Sequence, residues 1–269
     1  MQCITPFSVK QKLNNETIAV PCGKCPPCLS RRASHWSFRL TQHLKDVNSA
    51  YFVTLTYDVS NVPMTEKNYM NLSKRDLQLF FKRLRKYNKN KIQYYAVGEY
   101  GTTTYRPHYH IIIYNVNEQT LQKAWQLGFV HIGKVTPASI GYTLKYISKL
   151  KKIPLHQNDD RQKEFSLMSK RLGANYLTDA MINWHKNDLA IRMYCNIQDG
   201  KKISMPRYYK DKIYNETERK TISFFARQKM LEQTEENLKD PDFYYKKLQS
   251  DKQLIKNFNY KNRPKNHEI

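Results

Sequence analysis

No apolar run in this 269-residue chain approaches the roughly 18–20 residues that span a bilayer, which excludes a helical membrane anchor. The opening residues, MQCITPFSVKQKLNNE, lack the apolar stretch of a signal peptide, so the chain is not expected to be exported. Cysteine is scarce: five residues without an export signal do not make a disulfide scaffold. No internal repeat and no strong interdomain linker interrupts the chain. Acidic residues are also few, 23 Asp+Glu against 46 Lys+Arg, for a formal charge of +23.

Hydrophobic residues make up 40%, enough for a buried core and too many for wholesale disorder. A positive surplus of this size points to a polyanionic partner. The surplus is uneven: residues 211–269 hold 13 Lys+Arg and 10 Asp+Glu, a net of +3, which leaves +20 for residues 1–210. The first three-quarters of the chain is therefore expected to meet phosphates. Twenty tyrosines and eleven phenylalanines add flat faces on which unpaired bases can stack, although most of them must serve as core.

Leu29 to Asp46 spaces Leu29, Trp36, Leu40 and Leu44 as a basic helix that carries Arg31 and Arg32. Tyr51–Tyr57 reads as a strand. Ser73, with Asp76 three residues on, caps a helix that packs Leu77, Phe80, Phe81 and Leu84 inward and turns Lys82, Arg83, Arg85 and Lys86 largely outward. Lys91–Glu99 and His108–Tyr114 are further strands, Glu118–Leu127 a helix stopped by Gly128, and Phe129–Val135 a strand. Thr136-Pro137 then opens a helix through Lys152. The order β-α-β-β-α-β-α predicts an α+β, ferredoxin-like antiparallel sheet with one added helix and a helix-rich C-terminal extension. Its first and third strands lie side by side, so Thr54 and Thr56 neighbour His108 and His110. Lys151–Arg161 reads as a loop, Thr178–Asn187 as a helix, 189–205 as a hairpin across Gln198-Asp199-Gly200, and much of 216–257 as helix. The expected divisions are a Cys-rich turn and basic helix (1–48), a core (49–152), its α/β extension (153–214) and a helical segment (215–269).

Three patterns carry chemistry. In His108-Tyr109-His110 both imidazoles project from one face of a strand and can chelate one cation. A hairpin pairing position 99 with 108 adds the Glu99 carboxylate, a donor set that suits magnesium or manganese with positions left open for phosphate. In Tyr142-x-x-Lys145-Tyr146-x-x-Lys149, helical spacing lines two phenols and two ammonium groups along one stripe. A nearby cation would favour the nucleophilic phenolate. In Cys22-x-x-Cys25-x-x-Cys28, turns at Pro21, Gly23, Pro26 and Pro27 shape a zinc knuckle, with Cys3 or His35 as fourth ligand. Redox chemistry and unliganded thiols are the alternatives for the cysteines. One pattern misleads: Gly128 to Lys134 has the spacing of a phosphate-binding P-loop, but Val135 stands where a hydroxyl residue is needed, and the segment reads as a strand.

The set Phe52-Val-Thr-Leu-Thr-Tyr57, His108-Tyr109-His110 and Tyr142-x-x-Lys145-Tyr146-x-x-Lys149 resembles, in order, the three motifs of HUH endonucleases that initiate rolling-circle replication, in their two-tyrosine form. PCGKCPPCLSRRASHWSFRL, VGEYG, LMSKRLGANYL and MPRYYKDKIY are similar to replication initiators of gokushovirus-type microviruses, small single-stranded DNA phages. The resemblance covers about residues 1–214. It implies an RRM-like HUH fold and an enzyme that nicks a viral DNA origin. By analogy Tyr142 or Tyr146 forms a 5′-phosphotyrosine, a 3′-hydroxyl primes synthesis, and the ends are later joined. His108, His110 and Glu99 would hold the metal, with Lys145 and Lys149 beside the reacting phosphate. Arg31, Arg32, Lys82, Arg83, Arg85, Lys86, Thr54 and Thr56 are the expected DNA contacts. Single-stranded DNA, a host helicase and a host polymerase are the implied partners, and the bacterial host cytoplasm the implied location. Two rivals stay open: a plasmid initiator, relaxase or transposase of the same catalytic plan, and a non-catalytic RRM-like binding module.

Overall fold

The β-branched and aromatic runs around Thr54 and Ile112 can satisfy their backbone only in a sheet, and the computed structural model pairs them with each other. It describes residues 3–10, 15–148, 153–197 and 200–261. In chain order the elements are β1 (Phe7–Lys10), β2 (Thr17–Val20), α1 (Pro26–Leu44), β3 (Ala50–Thr56), α2 (Lys74–Tyr87), β4 (Gln93–Tyr100) and β5 (Pro107–Tyr114). There follow α3 (Gln119–Ala124), β6 (Val130–Lys134), α4 (Pro137–Leu144), β7 (Phe165–Met168), α5 (Asp179–Lys186), β8 (Tyr194–Asn196), β9 (Lys202–Ser204), α6 (Arg207–Ile213), α7 (Glu216–Leu238) and α8 (Phe243–Lys261). The class is mixed α+β. Two compact units form, Arg39–Ala174 and Met1–Phe38 with Asn175–Lys261.

The unit Arg39–Ala174 holds a five-stranded antiparallel sheet in the order β6-β3-β5-β4-β7. Side chains two apart share a face. Val53, Leu55, Ala96, Tyr109, Ile111 and Ile113 form one face, sealed by Leu77, Phe80, Phe81 and Leu84 of α2 and by Trp125. Each of these large apolar side chains contributes about 1.5–3 kcal/mol by leaving water. Ser73 caps α2, its hydroxyl accepting from the Asp76 N–H at 3.1 Å. The other face carries Phe52, Thr54, Val97, Glu99, His108, His110 and Ile112. There α4 packs on β5, and the end of α1 is tied by the Tyr114 hydroxyl, which donates to the Leu40 carbonyl at 3.1 Å.

Two helices differ from their sequence patterns. The helix expected over Glu118–Leu127 is α3, which stops at Ala124 because Trp125 turns extended, is fully buried, and donates its indole N–H to the Thr56 carbonyl at 2.9 Å. Gly128 follows at φ +157°, where a Cβ would collide with the Thr56 carbonyl oxygen. The helix expected from Ser139 through Lys152 is α-helical only to Leu144 and tightens to 3-10 geometry over Lys145–Ser148. Its start is as expected: Thr136 and Ser139 form a capping box with Pro137 in the first turn.

In the other unit, β1 and β2 form a hairpin that the sequence pattern did not reveal, and β8 pairs with β9 inside the expected 189–205 hairpin. Gln198 and Asp199 of that expected turn lie outside the described residues. Phe38, Met193, Cys195, Met205, Tyr209, Ile213, Tyr214 and Ile222 make the core. The long helices α7 and α8 supply the expected helical extension and remain largely exposed.

Candidate active site

The register of three strands assembles the site. Pairing of β4 with β5 sets Glu99 opposite His108, and pairing of β3 with β5 sets Thr54 opposite His110 and Thr56 opposite His108. The result is one carboxylate oxygen against two imidazoles: Glu99 Oε1 lies 3.4 Å from His108 Nε2 and 3.3 Å from His110 Nε2. The outer ring nitrogens are held as well. His108 Nδ1 is 3.2 Å from the Arg106 carbonyl oxygen, and because a carbonyl only accepts, Nδ1 carries the proton. His110 Nδ1 meets the Thr54 hydroxyl at 3.0 Å. In a neutral His108 the bare Nε2 lone pair then faces a carboxylate oxygen. Such a pair repels unless positive charge, a proton or a cation, sits between them.

This donor set fits a divalent cation. Ligands at ~2.1–2.2 Å in adjacent coordination positions stand about 3 Å apart, close to the separations observed here. Glu99, His108 and His110 form one of two described groups whose donor atoms all lie within 4.8 Å of one another. His110 is buried, whereas His108 and Glu99 retain some exposure, so the site opens to solvent on one side.

Tyr142, on α4, closes the pocket from above. Its ring meets His110 edge-on at 4.9 Å and Phe52 edge-on at 6.1 Å, while Phe52 stacks on His110 at 5.7 Å. Tyr142 nevertheless remains 53% exposed, which a nucleophile requires. Burial of part of the ring, and then the Glu99 carboxylate, hold its phenol above the ordinary value. Tyr146 is placed differently. The tightened turn after Leu144 carries its hydroxyl to the Glu164 carbonyl, to which it donates at 2.8 Å. The single stripe expected for Tyr142, Lys145 and Tyr146 is thus split between two destinations. Lys145 is exposed; Lys149 lies outside the described residues.

The remaining expected contacts are dispersed. Thr54 is occupied by His110 and so positions that ring. Thr56 uses its backbone, its N–H donating to Phe129 O at 3.0 Å and its carbonyl accepting from Trp125. Lys82, Arg85 and Lys86 are exposed on α2, which covers the sheet face opposite the histidines, and Arg83 donates to the Ala124 carbonyl at 2.6 Å. In the other unit, Arg32 is exposed and Arg31 donates to Cys28 Sγ at 3.4 Å. Arg31, His35, Lys202 and Lys229 line a cavity of about 500 Å³. Burial, then Arg31 and Lys210, push His35 down to about 4. His35 bonds Ser204 at 2.9 Å, while Cys3 joins Cys22, Cys25 and Cys28 in the second group of metal-type donors. Cys195 stands apart in the core. Sequence reasoning missed Phe52, Arg106 and Lys202 as parts of these sites. Phe52 and Arg106 were open to detection, each lying two residues from a site residue on the same strand face or at its edge.

The geometry defines a protein with a cation-binding sheet face opposed by a tyrosine, and comparison with known proteins agrees with the motifs. Residues 50–151, which hold Glu99, His108, His110, Tyr142 and Tyr146, match the family model of replication-associated proteins of the ORF2 type. More particularly, the chain is 28% identical over 215 residues to replication-associated protein ORF2 of Spiroplasma virus 4, covering 71% of this chain and 66% of that protein. It is 25% identical over 250 residues to replication-associated protein VP4 of Bdellovibrio phage phiMH2K, covering 78% and 76%. With replication-associated protein ORF4 of Chlamydia phage 1 the identity is 24% over 219 residues, covering 71% and 53%. The matches therefore span about half to three quarters of these relatives, and just under two thirds of the first. No solved structure matches the chain. The resemblance to microvirus replication proteins is borne out.

Proposed function

We propose that this chain initiates rolling-circle replication as an HUH-type endonuclease and strand transferase acting on single-stranded DNA at a viral origin. The observation that carries the reading is the approach of Tyr142 to His110, 4.9 Å between rings, above a carboxylate shared by two histidines. The sheet order β6-β3-β5-β4 supports a ferredoxin-like HUH core, since it is the order that a βαββαβ chain of this kind adopts, with β7 added at one edge. A binding module of the same order would display aromatics for bases on its central strands; here β5 offers His108 and His110 instead.

A magnesium or manganese ion held by Glu99, His108 and His110 would supply Lewis-acid polarisation of the scissile phosphate. Thr54 and the Arg106 carbonyl fix the two rings so that both Nε2 atoms face inward. Phe52 braces His110 and Tyr142 together. The Tyr142 oxygen bonds to phosphorus as the bond from phosphorus to the 3′ oxygen breaks. The phenol proton passes through solvent to the departing oxygen, leaving a 5′-phosphotyrosine and a free 3′-hydroxyl. One ester replaces another, so joining requires no ATP, consistent with Val135 where a P-loop needs a hydroxyl. Exposed Lys145 is available to stabilise the charge that develops on the phosphate.

Tyr142 is the first nucleophile in this scheme and Tyr146 the second. After one circuit Tyr146 leaves the Glu164 carbonyl and cuts the regenerated origin, and the new 3′-hydroxyl displaces Tyr142 to close a circle. Origin DNA is the partner, with a host helicase and polymerase supplying unwinding and synthesis in the bacterial host cytoplasm. Among the described residues no helix is long and apolar enough to cross a membrane. The test is an origin oligonucleotide incubated with protein and manganese. Cleavage with covalent attachment is expected from wild type, and neither from Tyr142→Phe combined with Tyr146→Phe. A double variant that still forms the adduct removes these tyrosines from the mechanism.

A further inference from the structure

Four thiols are gathered from three places in the first unit. Cys3 precedes β1, Cys22 and Cys25 sit between β2 and α1, and Cys28 lies in the first turn of α1. All four sulfurs lie within 4.8 Å of one another, and Cys3 Sγ is 3.7 Å from Cys25 Sγ. Sulfurs bound tetrahedrally at ~2.3 Å stand about 3.8 Å apart, whereas a disulfide needs ~2.05 Å. All are free thiols.

The surroundings are built for thiolates. Cys22 Sγ accepts from the Lys24 N–H at 3.4 Å, the Cys25 N–H at 3.3 Å and the Thr5 hydroxyl at 3.3 Å. Cys3 Sγ accepts from the Cys22 N–H at 3.3 Å. Gly23, at φ +73°, makes the left-handed turn that points these amides at the sulfurs. Arg31 brings a guanidinium to Cys28. Such donors lower the energy of sulfur carrying negative charge, which is the form that ligates metal.

A second observation concerns the hairpin. Every residue of β1 is exposed, and Phe7 is 53% exposed. An isolated two-stranded hairpin is marginal in water, and this one buries little apolar surface that would hold it against α1.

We propose that Cys3, Cys22, Cys25 and Cys28 hold one structural zinc ion that ties the β1–β2 hairpin to the start of α1. Zinc is the ion for a closed tetrahedral set of four thiolates with no open position. The site leaves Arg31 oriented by Cys28 and Arg32 exposed on the adjacent helix face. It is separate in sequence and in ligand type from Glu99, His108 and His110.

The test is metal analysis of the full chain, purified without added metal and dialysed against EDTA. About one zinc per chain is expected, released in step with mercurial titration of four thiols. His108→Ala with His110→Ala should keep the zinc, and Cys25→Ser and Cys28→Ser should each lose it. Hydrogen exchange across 7–10 and 17–20 should rise when zinc is released from the wild type. That last measurement needs no variant to fold. Wild-type protein without zinc, with iron in its place, or with two disulfides by intact mass would overturn the proposal.

Discussion

Substituting the two tyrosines one at a time separates their roles, because the structure gives their hydroxyls different surroundings. The Tyr146 hydroxyl is committed to the Glu164 carbonyl at 2.8 Å, a bond worth about 0.5–1.5 kcal/mol net. Tyr146 must break that bond before it can attack. If it substitutes for Tyr142, the first cleavage is slowed by about 2- to 12-fold from this term alone, at 1.36 kcal/mol per tenfold. Tyr142→Phe should therefore retain a slow first cleavage with the adduct moved to Tyr146, and should fold as stably as wild type. Tyr146→Phe should leave the first cleavage within about 2-fold, lower stability by about 1 kcal/mol in urea unfolding, and block release of closed circles. The assay is a single-turnover reaction with an oligonucleotide labelled 3′ of the cut, the labelled adduct being resolved on a denaturing gel. Loss of the first adduct in Tyr146→Phe, with Tyr142→Phe unimpaired, would refute the assignment.

Other consequences can be measured independently. Thr54→Val removes the hydroxyl that orients His110, and manganese affinity by calorimetry should fall by about 10-fold or more; unchanged affinity would show that the ring needs no such support. Asp159 and Arg161 form a buried bidentate pair, two contacts of 2.8 Å, beneath Tyr69, Tyr100 and Tyr105. Asp159→Asn should cost about 3–5 kcal/mol at neutral pH, because Arg161 is left buried without its counter-charge. The Arg161 guanidinium holds the Asp159 carboxyl well below its ordinary range. That stabilisation is therefore complete above the unfolded value of ~3.9 and is lost as pH falls through the lower folded value. The gap between wild type and Asp159→Asn should stay constant from about pH 5 to 8 and narrow below about pH 4; a gap that changes near neutrality would contradict this.

Strand pairing near the site was legible because local signals agreed. Position 99 ends one strand, Pro107 opens the next, and the alternation through Ile113 fixes which side chains share a face, so Glu99 meets His108 without knowledge of the rest of the fold. The sites where tertiary contact overrides local preference were not legible. Nothing in Tyr-Thr-Leu-Lys-Tyr-Ile-Ser breaks a helix, yet the turn tightens after Leu144, where Tyr146 reaches Glu164 and Ile147 is buried. Trp125 ends α3 for a similar reason. The edge strand β7 is four residues long, and its pairing with β4 spans about 70 positions, so no short-range pattern announces it. The basic residues of α2 carry a different lesson. Their outward direction follows from helical period, but the sheet face that α2 covers follows from the apolar side of β3 and β5, the side of Val53, Leu55, Ile111 and Ile113 rather than of the histidines.

Peptide mapping of the wild-type DNA adduct tests the mechanism most directly. Lys145 lies between the two tyrosines, so trypsin separates a peptide over 135–145 containing Tyr142 from one over 146–149 containing Tyr146. Mass spectrometry of the adduct trapped in the first cleavage should find the nucleotide on the 135–145 peptide, at Tyr142. Its attachment to any residue outside these two peptides, or cleavage that leaves no covalent product, would contradict the account.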